Sequence, residues 1–220
     1  MRERQVLLFG HPPIRPFGPD LPLYVDPANI RDATKALETH HVATVLGSPE
    51  GGMIVPGDDP VARSLALPLL DLNGFDGLLL LGGEGALLAF EDYEAVHLLV
   101  GKFNASGRPV GLVGHSTCAV FHARDGEGRL LCEGRRWTGP LAEEDRLSEH
   151  SRGVDFQPYY IEERSEDFPD SHFVQGPAFE AHVEIDGDLV TAQHPIATAQ
   201  VAHEIATIIA RKSGFQPVAA

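Results

Sequence analysis

Cysteine is scarce in this chain, and so are lysine and long apolar runs. Cys118 and Cys132 are its two cysteines, too few for a disulfide framework, which removes the small secreted scaffolds from consideration. Only Lys35, Lys102 and Lys212 accompany the arginines among seventeen basic residues, against 32 acidic ones, for a formal net charge of −15. A partner that offers a phosphate backbone or an anionic membrane surface needs a basic patch, so no nucleic acid and no membrane partner is expected. No apolar run approaches the roughly 18 to 20 residues that span a bilayer. No N-terminal stretch shows a basic, then apolar, then small-residue pattern, and a cytoplasmic location is the expectation.

The chain has 220 residues and is 43% hydrophobic, enough for one sizeable core. One domain over residues 1–220 is expected, with neither repeats nor a linker. The apolar run Val6-Leu7-Leu8-Phe9 ends at Gly10 and leads into a proline-rich loop over residues 11–22, which reads as a strand followed by a rim loop. Asp26-Pro27 supplies an N-cap and a first-turn proline, and Ile30, Ala33 and Leu37 form one apolar face of a helix reaching about Thr39. Residues 42–46 have β-branched character and break at the glycine- and proline-containing loop 47–52. Residues 75–81 are apolar without alternation, as in a strand covered on both faces.

A helix face follows at Tyr93, Val96, Val100 and Phe103. The run Val110–Val113 then ends abruptly at Gly114-His115-Ser116, which reads as a buried strand breaking into a helix. In a parallel sheet that turn faces the ligand crevice. Residues 143–170 read as a long, acidic, irregular flap with a short strand at Tyr159-Tyr160-Ile161. A last strand covers Leu189–Ala192, and Pro195 opens a helix whose inner face is Val201, Ile205, Ile208 and Ile209. The repeated strand, loop and helix order predicts a doubly wound sheet. The fold class is therefore a three-layer α/β/α sandwich, flavodoxin-like and mostly parallel, with residues 5–10, 75–81 and 110–113 at its centre.

Several segments together resemble the ThiJ/PfpI superfamily of the class I glutamine amidotransferase-like fold, nearest its stress chaperone and glyoxalase III group. They are Ser48-Pro49-Glu50-Gly51-Gly52, Phe75-Asp76-Gly77 leading to Gly82-Gly83-Glu84-Gly85, Arg108-Pro109-Val110 leading to Gly114-His115, Trp137-Thr138-Gly139, and residues 183–195 ending in Gln193-His194-Pro195. Their order and spacing carry the match, which covers nearly the whole chain. The resemblance implies a cysteine nucleophile at the elbow, a histidine after it, an acid beyond the Thr-Gly turn and often an N-terminal glutamate. Here the cysteine position holds Gly114, the histidine is His115, and the acid is Asp145, with Glu144 a rival. Asp26 is the nearest N-terminal acid, and its plain role is the N-cap before Pro27. Glu84 stands where the glyoxalase group usually carries a histidine. The resemblance also implies a homodimer.

The candidate catalytic set is thus His115, Asp145 and Glu84, and the candidate ligand contacts are Gly83, Gly85, Gly114 and Ser116. His115 has three readings: a ligand contact, a general base acting through water, or a structural histidine bonded to Asp145. Cys118 lies one helical turn past the tip, so its thiol cannot replace a missing one. It and Cys132 read as core residues. Eleven histidines invite a metal site, but no His-x-x-x-His or Cys-x-x-Cys pair stands out, His40 and His41 are adjacent, and His182-Val183-Glu184 reads as strand. Neither a metal nor a cofactor is expected. Two function classes follow: a protein that binds a small carbonyl or carboxylate ligand, or a misfolding partner, without catalysis, and a hydrolase or glyoxalase/deglycase-like enzyme that uses water in place of the thiol. Loss of the thiol removes covalent catalysis and favours the first.

Overall fold

The computed structural model describes residues 2–15 and 23–214; part of the rim loop expected at residues 11–22 lies outside them. In chain order the elements are β1 (Arg4–Phe9), α1 (Pro27–Glu38), β2 (Val42–Ser48), β3 (Gly52–Met53), β4 (Arg63–Ala66), β5 (Gly77–Leu80), α2 (Glu84–Phe90), α3 (Glu94–Ala105), β6 (Val110–Val113), a 3-10 segment Gly114–Phe121, β7 (Arg136–Trp137), α4 (Ala142–Arg152), α5 (Ile161–Ser165), β8 (His172–Phe173), β9 (Val183–Asp186), β10 (Leu189–Ala192) and α6 (Thr198–Lys212). Eight strands form one sheet in the order β3-β4-β2-β1-β5-β6-β10-β9. β2, β1, β5, β6 and β10 run parallel, and the two edge strands β3 and β9 are antiparallel to their neighbours. β7 and β8 form a separate parallel pair. This is a flavodoxin-like sandwich, with β1, β5 and β6 central as the uninterrupted apolar runs require.

Alternation along the central strands divides the core between two faces. Leu7, Phe9, Leu78 and Leu80 pack with Leu87 and Phe90 of α2, with Val96, Val100 and Phe103 of α3, and with the 114–121 segment. Val6, Leu8, Leu79 and Leu81 face the other way, onto Ile30, Ala33 and Leu37 of α1 and Val201, Ile205 and Ile209 of α6. Both cysteines are free and buried, within the first of these clusters.

The stretch 143–170 departs from the irregular flap expected of it. It contains α4 and α5, and Tyr160 and Ile161 lie at the start of α5 instead of in a strand. The reason is visible in what α4 buries: Ala142, Glu144, Asp145 and Glu149 face inward. Three of those four are acids, so the apolar period that announces a helix is missing. The helix has proper ends nonetheless. Glu144 at its third position accepts the Leu141 N–H at 2.9 Å, and Gly153 closes it at φ 70°, the usual left-handed stop.

Candidate ligand-binding site

The site gathers where β5 and β6 end. β5 runs into Gly82, whose Cα lies so close to the elbow that a Cβ would sit 2.3 Å from Val113 O and 2.6 Å from Ser116 N. β6 ends at Val113, and the next residue, Gly114, has φ 55°. That is the left-handed region, which glycine enters without the penalty a Cβ brings. Space is short there as well, since a Cβ on Gly114 would lie 3.2 Å from both Gly82 O and Pro195 Cδ.

His115 follows the tip and is almost wholly buried. Its Nε2 is 2.8 Å from Asp145 Oδ1, with side-chain exposures of 7% and 3%. Asp145, and not its neighbour Glu144, is therefore the partner. Burial alone would lower the His115 pKa, but the Asp145 carboxylate outweighs it, with smaller help from Glu84 and Glu144, and the value is raised. The second Asp145 oxygen, Oδ2, is buried and has no partner among the described residues.

Glu144 is occupied elsewhere. Besides capping α4, its Oε1 accepts the Phe179 N–H at 2.6 Å and the Gln193 side-chain amide at 3.2 Å. Phe179 sits at φ 59°, an outlier for a bulky side chain, and this backbone bond to Glu144 helps hold it there. His194 Nδ1 accepts the Ile196 N–H at 3.2 Å, so the neutral ring carries its proton on Nε2. Burial is the main cause of a lowered His194 pKa, only partly opposed by Glu144.

These groups wall a cavity of about 570 Å³ that includes His115, Asp145, Glu144, His194, Phe179, Gly83, Glu84 and Gly85. Glu84 is tied down on its wall: Ser148 Oγ donates to Oε1 and the Arg152 guanidinium to Oε2. Asp26 performs the expected capping, its Oδ1 accepting the Ala28 N–H at 2.8 Å, and also lines the cavity. Gly114 is not part of the lining. Ser116 also falls outside it, although it was expected among the ligand contacts. Its Oγ is within reach of the Leu80 and Val113 carbonyls (3.1 and 2.9 Å) and accepts the Val113 N–H at 2.8 Å. Those bonds lock the first turn against the end of β5, which turns Ser116 away from the crevice.

Sequence reasoning gave Ser148, Arg152, Phe179 and His194 no role. His194 was legible as part of the Gln193-His194-Pro195 segment. Ser148 and Arg152 were hidden because the helix carrying them was read as a flap. Cys118 is buried and its thiol is pushed up by that burial; Cys132 is likewise pushed up to about 11. Neither suits a nucleophile. Among the described residues no three His, Cys, Asp or Glu side chains converge as a metal site.

Solved structures with the same fold include the 24 kDa rapid encystment protein of Francisella tularensis, at TM-score 0.78 and 16% identity over 94% of this chain and 99% of that one. Glyoxalase III of Candida albicans superposes at TM-score 0.76 with 15% identity, covering 94% and 98% of the two chains. DJ-1beta of Drosophila melanogaster follows at 0.60 and 13%, over 98% and 100%. The chain has the DJ-1/ThiJ fold. At these identities the likeness concerns the DJ-1/ThiJ architecture and not the chemistry. No family model matches the sequence, and no curated protein matches it either. Among the described residues of this DJ-1/ThiJ fold, no helix is long and apolar enough to cross a membrane.

Proposed function

We propose that the chain is a ThiJ/PfpI-type protein, stress-related as the family resemblance implies, which binds a small carbonyl compound without covalent catalysis. The observation that carries this reading is Gly114. It occupies the tip of the elbow at φ 55°, the place where the family resemblance implies a thiol, while the adjoining His115 and Asp145 pair is intact. Asp26, Glu84 and Asp145 all line the cavity, and Arg152 is already paired with Glu84. A carboxylate ligand would meet like charge there, so of the two ligand classes expected from sequence we retain the carbonyl compound. A cytoplasmic location and a homodimer belong to the same proposal by resemblance.

The buried His115 and Asp145 pair favours one second reading, a hydrolase or glyoxalase/deglycase-like enzyme. Asp145 holds Nε2, which leaves Nδ1 to take a proton from water as Asp145 stabilises the imidazolium. Turnover of methylglyoxal and a panel of small esters and amides, compared between the wild type and His115→Ala, separates the two. Equal background rates are the outcome expected of a binding protein. A wild-type rate ten times or more that of His115→Ala would establish the enzyme.

A further inference from the structure

We infer that His40 and His203 form a surface site for a divalent late first-row transition ion, Cu(II) fitting best, at the end of α1 remote from the cavity. The site is independent of the ligand reading above. His40 follows α1 and His203 lies on α6, and the packing of the two helices brings His40 Nε2 within 2.8 Å of His203 Nδ1 across 163 residues of chain. Their ring centres are 4.5 Å apart, with the planes at 68°. In the metal-free pair one N–H donates to the other ring's lone pair. An ion that takes the place of that proton needs both lone pairs to reach one point. Two imidazole nitrogens bound about 2.05 Å from one ion at right angles lie about 2.9 Å apart, with ring centres about 4.5 Å apart. The two histidines already have those separations. A tetrahedral angle would set the nitrogens about 3.3 Å apart, so the spacing favours the square-planar or octahedral ions Cu(II) and Ni(II) over Zn(II).

Access and charge agree with this geometry. The hydrogen bond between the rings is exposed to solvent, so an ion can reach both nitrogens. Burial, then His203, Arg4 and His41, lower the His40 pKa, and its ring is neutral and able to ligate at pH 7.5. Arg4 opposes a cation here. The C-terminal end of α1 favours one, because partial negative charge gathers there, and His40 belongs to that last turn, its N–H donating to Leu37 O at 3.0 Å. The formal net charge of −15 also attracts cations. Two neutral nitrogen donors do not suit Mg(II) or Ca(II), which take oxygen ligands. No third His, Cys, Asp or Glu joins the pair among the described residues, so water completes the coordination and the ion is exchangeable. Asp26, which lines the cavity, caps the opposite end of α1, about 18 Å away along the twelve residues of that helix.

The test adds up to one equivalent of Cu(II) to the full chain at pH 7.5 in a non-coordinating buffer. Binding is followed by calorimetry, and the ligands by nitrogen hyperfine structure in electron paramagnetic resonance. One ion per chain held by two imidazole nitrogens is expected. His40→Gln and His203→Gln should each weaken binding at least tenfold and remove the two-nitrogen pattern. His150→Gln, which changes an exposed histidine of α4, should bind as the wild type does. Equal affinity in the wild type and in both His40→Gln and His203→Gln would overturn the inference, because the ion would then sit on other histidines. A wild-type spectrum with fewer than two imidazole nitrogens would overturn it as well, and that spectrum decides the matter even if a variant fails to fold.

Discussion

At the scale of single residues, Gly114 determines what the elbow can do. Its φ of 55° and the 3.2 Å clearance to Gly82 O and Pro195 Cδ make any side chain there strained by about 1–3 kcal/mol. Gly114→Cys should therefore lower stability by that amount in chemical denaturation. Its thiol would stand beside His115, whose raised pKa favours a neighbouring thiolate. Alkylation against pH should then report a thiol pKa below the free value of about 8.5. An unshifted thiol would mean that the scaffold no longer supports a nucleophile. His115 itself gives a signed pH effect. Its folded pKa is raised, so the stability it contributes is complete below the unfolded value of about 6.5 and is lost as pH rises through the folded value. Melting temperatures of the wild type should lose ground to those of Asp145→Asn across that window. His11 works in the opposite sense. Its ring is buried, Nδ1 is 2.8 Å from Pro12 O, and burial lowers its pKa to about 4. Stability is full above about pH 6.5 and falls as pH drops toward 4, by up to about 3 kcal/mol if the whole shift is expressed. Denaturation curves of His11→Gln should lack that component of the acid loss.

At the scale of elements, the site depends on three segments brought into near-contact: the end of β5 with the start of α2, the tip of β6, and α4. Glycines allow the first two to approach. Gly85 leaves room for the His11 ring, which an added Cβ would approach to 2.6 Å at Cε1, and Gly82 leaves room for the backbone of Val113 and Ser116. Backbone cannot swing aside as a side-chain end can. Gly82→Ala should accordingly destabilise by about 2–3 kcal/mol, measured by urea denaturation. It should also displace the elbow enough to disturb the His115 and Asp145 hydrogen bond in the His115 NMR spectrum. α4 contributes its carboxylates inward. Asp145 reaches His115 while Glu144, one residue earlier, holds Phe179 and Gln193. The division of labour between adjacent acids arises because successive helix positions point about 100° apart, toward different neighbours.

At the scale of the whole molecule, the homodimer implied by the family resemblance is decided by sedimentation velocity at micromolar concentration. A species of about twice 23.8 kDa is expected, and a clean monomer would defeat that part of the proposal. The sequence alone was enough for the central architecture. The unbroken apolar runs of β5 and β6 demand cover on both faces, and the spacing of Ile30, Ala33 and Leu37 or of Val201, Ile205 and Ile209 supplies it. The glycine at the elbow and the burial of both cysteines were legible for the same local reason, since each depends on the residue and its immediate neighbours. Other features needed the tertiary structure. α4 was invisible because its buried face is acidic, and acids on an inward face make sense only once His115, the Phe179 amide and Gln193 are in place to meet them. The choice of Asp145 over Glu144 likewise depended on where the strand ends put those partners. Ser116 lies outside the cavity lining, its hydroxyl bonded at the end of β5. Hydrophobic periodicity is written along the chain and can be read there, but a polar group's partner is set by distances between segments that only the folded chain brings together.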